Sequence, residues 1–263
     1  MRYETLRLTG KAPIRAFLNQ DRVKTAYALG DLDDALWPQS EFWGARRAGD
    51  LVSVVMLYRG FDPAVLTAFG DPDGARAILV RIALPGEVYC LIPEELGTAV
   101  ADTYALPDPH REWRMVLDPA AFDAPPLDDA GRIAPEQADA LTALYRHAAK
   151  PGEEVVAFSP AQIAQGRFYG IWAGDTMVGA AGTHVWSEAE KVVAIGNVFT
   201  RPDRRGRGYA TLCAAAVVQD ALAAGMDTII LNVRMDNAPA IRVYEKLGFR
   251  RAHVFLEGPG LRR

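Results

Sequence analysis

The stretch "RPDRRGRGYATLCAAAVVQ", residues 201–219, puts four arginines and two glycines directly ahead of a long apolar run. Pro202 biases Arg201 toward an extended conformation, so the preceding strand ends in a defined turn. From Tyr209 to Ala224 few side chains are polar, and the segment reads as a largely buried helix with Gly225 just past its end. The first turn of a helix carries N–H groups with no intrahelical carbonyl, and glycine lets a ligand approach that backbone closely. Such a turn can hold an anion. A hydrogen bond from one of these donors to a charged oxygen contributes about 1.5–3 kcal/mol, against roughly 0.3–1 kcal/mol for the helix dipole. Aimed donors therefore matter more than the number of arginines. A dinucleotide turn needs G-x-G-x-x-G, but Gly206 and Gly208 are followed by Ala210 and no third glycine. The Gly-Lys-Ser/Thr ending of a nucleoside-triphosphate loop is absent as well. A solvated basic run and an R-x-x-G-x-A turn, fitted by Arg205, Gly208 and Ala210, remain.

A second stretch, "NVRMDNAPAIRVYEKLGFRRA" at 232–252, follows at a short distance. Asp236 or Asn237 can cap a helix that has Pro239 in its first turn, where a missing N–H costs nothing. Ile241, Tyr244 and Leu247 fall on one face, with Arg242, Glu245 and Lys246 on the other. Tyr244 is then either a core aromatic with its hydroxyl satisfied locally or a phenol that works as an acid.

These two stretches need strands and helices to place them. Before the turn, "RFYGIWA" (167–173), "TMVGAAGTHV" (176–185) and "KVVAIGNVFT" (191–200) read as strands, the first two joined at Gly174-Asp175 by a tight hairpin. A helix over 135–149 precedes them, the strand "TIILNV" (228–233) separates the two helices, and "RRAHVFLE" closes the series. Upstream, strands are expected at 51–59, 64–69, 87–92 and 111–118, with helices after Gly70 and from Pro93. Prolines and aspartates break the pattern over 117–137, which reads as an interdomain linker. The expected division is residues 1–118, a linker at 119–134, and a second domain at 135–263. The halves share an order of elements but little sequence.

The order strand, arginine-glycine turn, helix, strand, Asn-capped helix with tyrosine, then Gly-Phe into a strand resembles the acyl-coenzyme A site of the GNAT superfamily of N-acetyltransferases. The likeness covers about residues 135–255. It implies an α/β fold with a mixed, mostly antiparallel twisted sheet flanked by helices, in two tandem GNAT-like domains. It also implies acetyl-coenzyme A as co-substrate, with no metal, and an amine acceptor that is a small molecule or a peptide. By the same resemblance, backbone groups of Val198, Phe199 and Thr200 pair with the pantetheine arm like an added strand. The main-chain N–H groups of Gly206, Arg207, Gly208, Tyr209, Ala210 and Thr211 hold the pyrophosphate. Arg205 takes the first position of the pattern, Asn237 contacts the arm, and Tyr244 matches the usual general acid.

The general base is less marked, because "AIGNVFT" contains no carboxylate. His184, late in the preceding strand, is the candidate base, since an imidazole titrates near neutral pH; a hydrogen-bonded structural histidine is the competing reading. Glu188 and Glu190 in the intervening turn read as solvated, and Glu153 and Glu154 are minor candidates. A direct attack needs no covalent enzyme intermediate, so the lack of a Ser-His-Asp or Cys-His set is no objection.

Residues 1–116 lack the R-x-x-G-x-A turn. At the corresponding place stands "FGDPDGARAIL", where Asp71 and Asp73 would repel a pyrophosphate, so this half reads as a degenerate copy without cofactor. Its stretch "YALGDLDDALWPQSEFWG" (27–44) is expected as a surface helix and loop packed by Trp37, Phe42 and Trp43, or as a lining of the acceptor pocket.

Composition limits the alternatives. With 33 acidic against 29 basic side chains and a net charge of −4, general affinity for nucleic acid or an anionic membrane is disfavoured. Cys90 and Cys213 stand far apart without His or Cys at metal-ligand spacing and read as buried thiols of a cytoplasmic protein. The N-terminus has no signal-peptide pattern, and no run of eighteen apolar residues occurs. The rival from another class is a non-catalytic acyl-coenzyme A sensor or interaction module.

Overall fold

A computed structural model of the chain describes residues 2–147 and 158–263. Two compact units divide it, Met1–Arg114 with Ala252–Arg263, and Met115–Arg251. The first unit runs β1 (Glu4–Leu8), α1 (Lys11–Leu18), α2 (Arg22–Gly30), β2 (Ser40–Arg47), β3 (Asp50–Tyr58), β4 (Val65–Gly70), α3 (Pro72–Leu79), β5 (Glu87–Pro93), α4 (Gly97–Ala101) and β6 (Tyr104–Ala105). The strand β7 (His110–Leu117) carries the chain out of it. The second unit holds β8 (Gly131–Arg132), α5 (Ala138–Arg146), α6 (Ala161–Gln165), β9 (Tyr169–Ala173), β10 (Thr176–Ser187), β11 (Val192–Thr200), α7 (Tyr209–Ala223), β12 (Thr228–Arg234) and α8 (Ala238–Lys246). The last strand, β13 (Phe249–Arg262), returns the chain to the first unit.

In the first unit β1 to β4 pair antiparallel in sequence order, and β4 pairs parallel with β5. The apolar run at Val54–Leu57 is buried throughout, as in a strand covered on both faces. Val55, Leu57, Leu66, Ile78, Val88, Ile92 and Tyr104 form a common core. The expected strands at 51–59, 64–69, 87–92 and 111–118 all appear within two residues of their expected ends. Three strands, β1, β2 and the two-residue β6, escape the pattern. The 27–44 stretch is not a surface helix and loop throughout: from Ser40 it is strand, with Phe42 and Trp43 buried. Glu41 and Gly44 interrupt the apolar periodicity that would announce it. The helix after β4 stops at Leu79, and that from Pro93 is a single 3-10 turn followed by the short α4.

The terminal strand was expected with the second half of the chain. From Phe255 to Leu261 it instead pairs antiparallel with β5, in register from Pro93 to Glu87. An apolar alternation marks a strand without naming its partner. In the second unit β8, β9, β10 and β11 pair antiparallel and β11 pairs parallel with β12. Residues 115–134, expected in part as linker, group with this unit, where β8 pairs with β9 and Ile133 enters the core with Leu141, Leu144 and Phe168. The Gly174-Asp175 hairpin is present between β9 and β10, with Gly174 at φ 60°. Both cysteines are buried free thiols, each pushed up to about 12 by burial.

Candidate active site

Two features of the second unit's sheet shape the site. The parallel ladder of β11 and β12 runs from Val192–Thr228 to Ile195–Leu231. Beyond it the strands continue to Thr200 and Arg234 with no further paired residues among those described. The side chains follow suit: Val192 to Ile195 are buried, whereas Gly196 to Thr200 are half-buried. The backbone of 196–200 thus has an edge on which an extended ligand could add as a strand.

The second feature is a pair of irregularities between β10 and β11. The register steps from Ala180–Phe199 to Gly182–Gly196, so Asn197 and Val198 together face Ala181. Two residues opposite one make a β-bulge, and Asn197 has φ 53°. A short polar side chain tolerates that left-handed conformation best after glycine. Next the register steps from Thr183–Ile195 to Val185–Ala194, leaving His184 as the extra residue on β10. The imidazole lies against Gly196, where any Cβ would overlap its Nε2. His184 is half-buried.

After β11 the chain makes a 3-10 turn, Pro202–Arg204, and enters α7 through Gly206 (φ 78°) and Gly208 (φ 81°). Gly208 is the N-cap and supplies no side-chain hydrogen bond. The N–H of Leu212 reaches Gly208 O at 3.0 Å, so those of Tyr209, Ala210 and Thr211 precede the first helical bond. A Cβ at either glycine would meet nothing within 4 Å, which leaves the backbone open to an incoming group. Left-handed residues alternating with right-handed ones turn successive N–H groups toward one point, an anion-binding concavity. The donor set fits a pyrophosphate.

The arginines divide. Arg201 binds Asp203 through Nε at 3.0 Å, and Arg204 Nε lies 3.4 Å from the same carboxylate. The hydrogen bond from Arg201 is the first cause holding Asp203 below the usual carboxylate range. Arg205 Nε donates to Thr200 O at 3.4 Å, and its guanidinium lies 5.9 Å from the centre of the Phe199 ring. It ties the end of β11 to the turn. Arg207 is exposed. The first residue of α7 packs tightly on β10, because a Cβ at Gly179 would stand 3.0 Å from that of Tyr209. Cys213 to Val218 bury the helix behind it.

Asn237 caps α8, its Oδ1 accepting from Ala240 N at 3.3 Å, while Asp236 pairs with Arg234. Tyr244 is 6% exposed, its ring edge-on to Phe249 with centroids 6.1 Å apart. Glu188 is exposed, as expected, but Glu190 is buried, its N–H bonded to Ser187 Oγ. Glu153 and Glu154 lie outside the described residues. What sequence reasoning missed is Tyr145, whose hydroxyl donates to Asn197 O at 2.8 Å. The Gly196-Asn197 pair inside a strand pattern signals the bulge, but nothing in the sequence couples it to α5.

The model of the Acetyltransferase (GNAT) family matches residues 135–249. That segment is a GNAT acetyltransferase domain. It contains the open glycine turn, the bulged β11 and the capped α8. A mycothiol acetyltransferase of Corynebacterium aurimucosum is 41% identical over 64 residues, 23% of this chain and 21% of that protein. Among solved structures, a Drosophila protein has a TM-score of 0.73 at 17% identity, covering 98% of both chains. A tandem GNAT protein from the clavulanic acid biosynthesis pathway has a TM-score of 0.58 at 16% identity, covering 99% of this chain and 98% of that one. At those identities the likeness is one of fold, and it extends beyond the GNAT domain over nearly the whole chain. No helix among the described residues is long and apolar enough to cross a membrane.

Proposed function

We propose that the chain transfers an acetyl group from acetyl-coenzyme A to a primary amine by direct attack. The observation that carries this is the turn at Gly206 to Thr211, two left-handed glycines opening a helix with its first N–H groups uncapped, within a segment that matches the GNAT family.

Bound acetyl-coenzyme A supplies an activated acyl group and a thiol leaving group. The residues of this chain bind, orient and move protons. N–H groups from Gly206 to Thr211 hold the pyrophosphate, with Arg205 fixing the turn to Thr200. Val198, Phe199 and Thr200 offer main-chain groups to the extended arm, and Asn237 stands at the head of α8 beside it. The N–H of Val198 donates to the oxygen on which charge develops, a contribution worth about 3 kcal/mol for a well-placed donor. Tyr244 gives a proton to the departing sulfur. Its ordinary phenol range, about 10, lies above that of a thiol, about 8.5, so the transfer relies on position. His184, at the second bulge, takes the amine proton directly or through water. Replacing it with alanine is expected to flatten the neutral limb of the pH–rate profile; a retained limb would assign that step to water or to the amine itself.

The first unit, on this reading, is a GNAT-like unit that binds no cofactor at its own turn. Titration of acetyl-coenzyme A, followed by thiol release with a panel of amines, tests the whole proposal. The local likeness to a mycothiol acetyltransferase places that type of acceptor in the panel. Micromolar binding with amine-dependent release is the expected result. Binding without release for every amine would make the protein an acyl-coenzyme A sensor, and no binding would leave the turn a basic surface.

A further inference from the structure

We propose that Tyr145 is a positioning residue for acyl transfer, its hydroxyl fixing the peptide plane between Asn197 and Val198 and so aiming the Val198 N–H. This rests on the transferase reading above and assigns part of its machinery to α5, outside both motifs that carried that reading.

The argument begins with the peptide unit. In a trans peptide the C=O of one residue and the N–H of the next lie in one plane and point in opposite directions. The Tyr145 hydroxyl donates to Asn197 O at 2.8 Å, which turns that carbonyl toward α5 and the Val198 N–H away from it. The β10 register skips Asn197 and Val198, and the parallel pairing with β12 ends at Ile195. The bulge interrupts the regular ladder, so an anchor from outside the sheet adds a constraint on that peptide plane. Asn197 is moreover left-handed, at φ 53°, a conformation that an outside hydrogen bond helps to hold.

Tyr145 is itself held. It is 6% exposed, and its ring is edge-on to Phe158 at 5.0 Å and to Phe199 at 6.3 Å. Burial raises its phenol well above the ordinary value, so the hydroxyl keeps its proton and remains a donor. An α5 side chain thus reaches the peptide of β11 at which the β10 register is interrupted.

Tyr145→Phe removes the hydroxyl and keeps the ring. With saturating acetyl-coenzyme A and amine, kcat is expected to fall on the order of tenfold, less than the loss of an oxyanion donor, because the N–H remains but is no longer aimed. Calorimetric affinity for coenzyme A is expected to stay within about twofold, since the glycine turn is untouched. Phe158→Leu serves as the packing control: it loosens the same cluster and keeps the hydroxyl, so it is expected to lower the melting temperature and leave kcat within about twofold. An unchanged kcat in Tyr145→Phe, or an equal loss in Phe158→Leu, would overturn the assignment. If the wild type releases no thiol with any amine, the transferase reading falls separately. The Val198 amide resonance of the ligand-free protein then decides the geometry: a shift in Tyr145→Phe is expected, and an unmoved resonance would overturn it.

Discussion

Each unit has a helix that follows a sheet strand through a glycine turn, α3 after β4 and α7 after β11, and the two turns are filled in opposite ways. At α3 the N-cap is Asp71, whose Oδ1 accepts from Gly74 N at 2.9 Å. The same carboxylate accepts from the Tyr3 hydroxyl at 2.9 Å and from Arg47 Nη1 at 2.8 Å. Gly70 is left-handed there too, but a Cβ on it would overlap Val52 O and press on the Phe17 ring. At α7 the N-cap is a bare glycine and the space beside it is open. A helix N-terminus attracts an anion in either case. The first unit brings its own, and the second leaves its first-turn donors uncapped by a side chain.

The sharpest way to break that contrast is to close the open turn. Gly208→Glu is expected to weaken coenzyme A binding at least 100-fold by calorimetry, since a carboxylate would stand among the phosphate donors. The fold is expected to survive, because the side chain meets open space and only φ 81° opposes it. Unchanged affinity would sink the phosphate assignment. Tyr244→Phe follows, with kcat lowered about 100-fold and coenzyme A affinity retained. A normal steady-state rate would remove Tyr244 from the chemistry and leave it a core aromatic.

Glycine replacement compares the turns directly. Gly70→Ala is expected to lower stability by about 3 kcal/mol, because strain adds to a clash with backbone that cannot move aside cheaply. Gly206→Ala should cost only about 1 kcal/mol, its strain being unaccompanied by a clash. Similar melting temperatures for the two variants would show that the turns are equally roomy.

The smallest effect concerns Asp71. Its carboxyl is held below the usual carboxylate range first by the Gly74 N–H, then by Tyr3 and Arg47. A depressed folded-state value means the stabilisation is present above the unfolded value, near 4, and is lost as pH falls through the folded one. Asp71→Ala is therefore expected to be about 1 kcal/mol less stable than wild type at neutral pH, with the gap closing below about pH 4. A gap that persists unchanged in acid would mean that side-chain contact, not charge, holds the turn.

The parts of the fold that are legible in the sequence are those with local causes. The α7 turn shows through because glycine is the residue that most readily takes the positive φ found at Gly206 and Gly208. The α8 start shows through because Asn237 and Pro239 suit a helix entrance and little else. Asp71 is legible as an obstacle to phosphate, although its contacts with Tyr3 and Arg47, residues 68 and 24 positions away, are not. By contrast β2 hides behind the half-buried Glu41 and the buried Gly44, whose places follow from neighbouring strands and not from periodicity. Tyr145 reads as one more apolar-face residue of an amphipathic helix, and only the folded sheet brings its hydroxyl to Asn197. The burial of Glu190 is equally invisible, because a turn of Ser, Glu and Ala carries the composition of a solvated loop.

The return of residues 252–263 to the first unit has a consequence for the order of events on the ribosome. The strand β5 has β4 on one side, and its other neighbour is synthesised only after the entire second unit. At roughly 5–20 residues per second, the 137 residues of Met115–Arg251 delay that neighbour by about 7–27 s. Throughout that interval the first unit holds an exposed strand edge from Glu87 to Pro93, so the half of the protein made first is the half that is finished last.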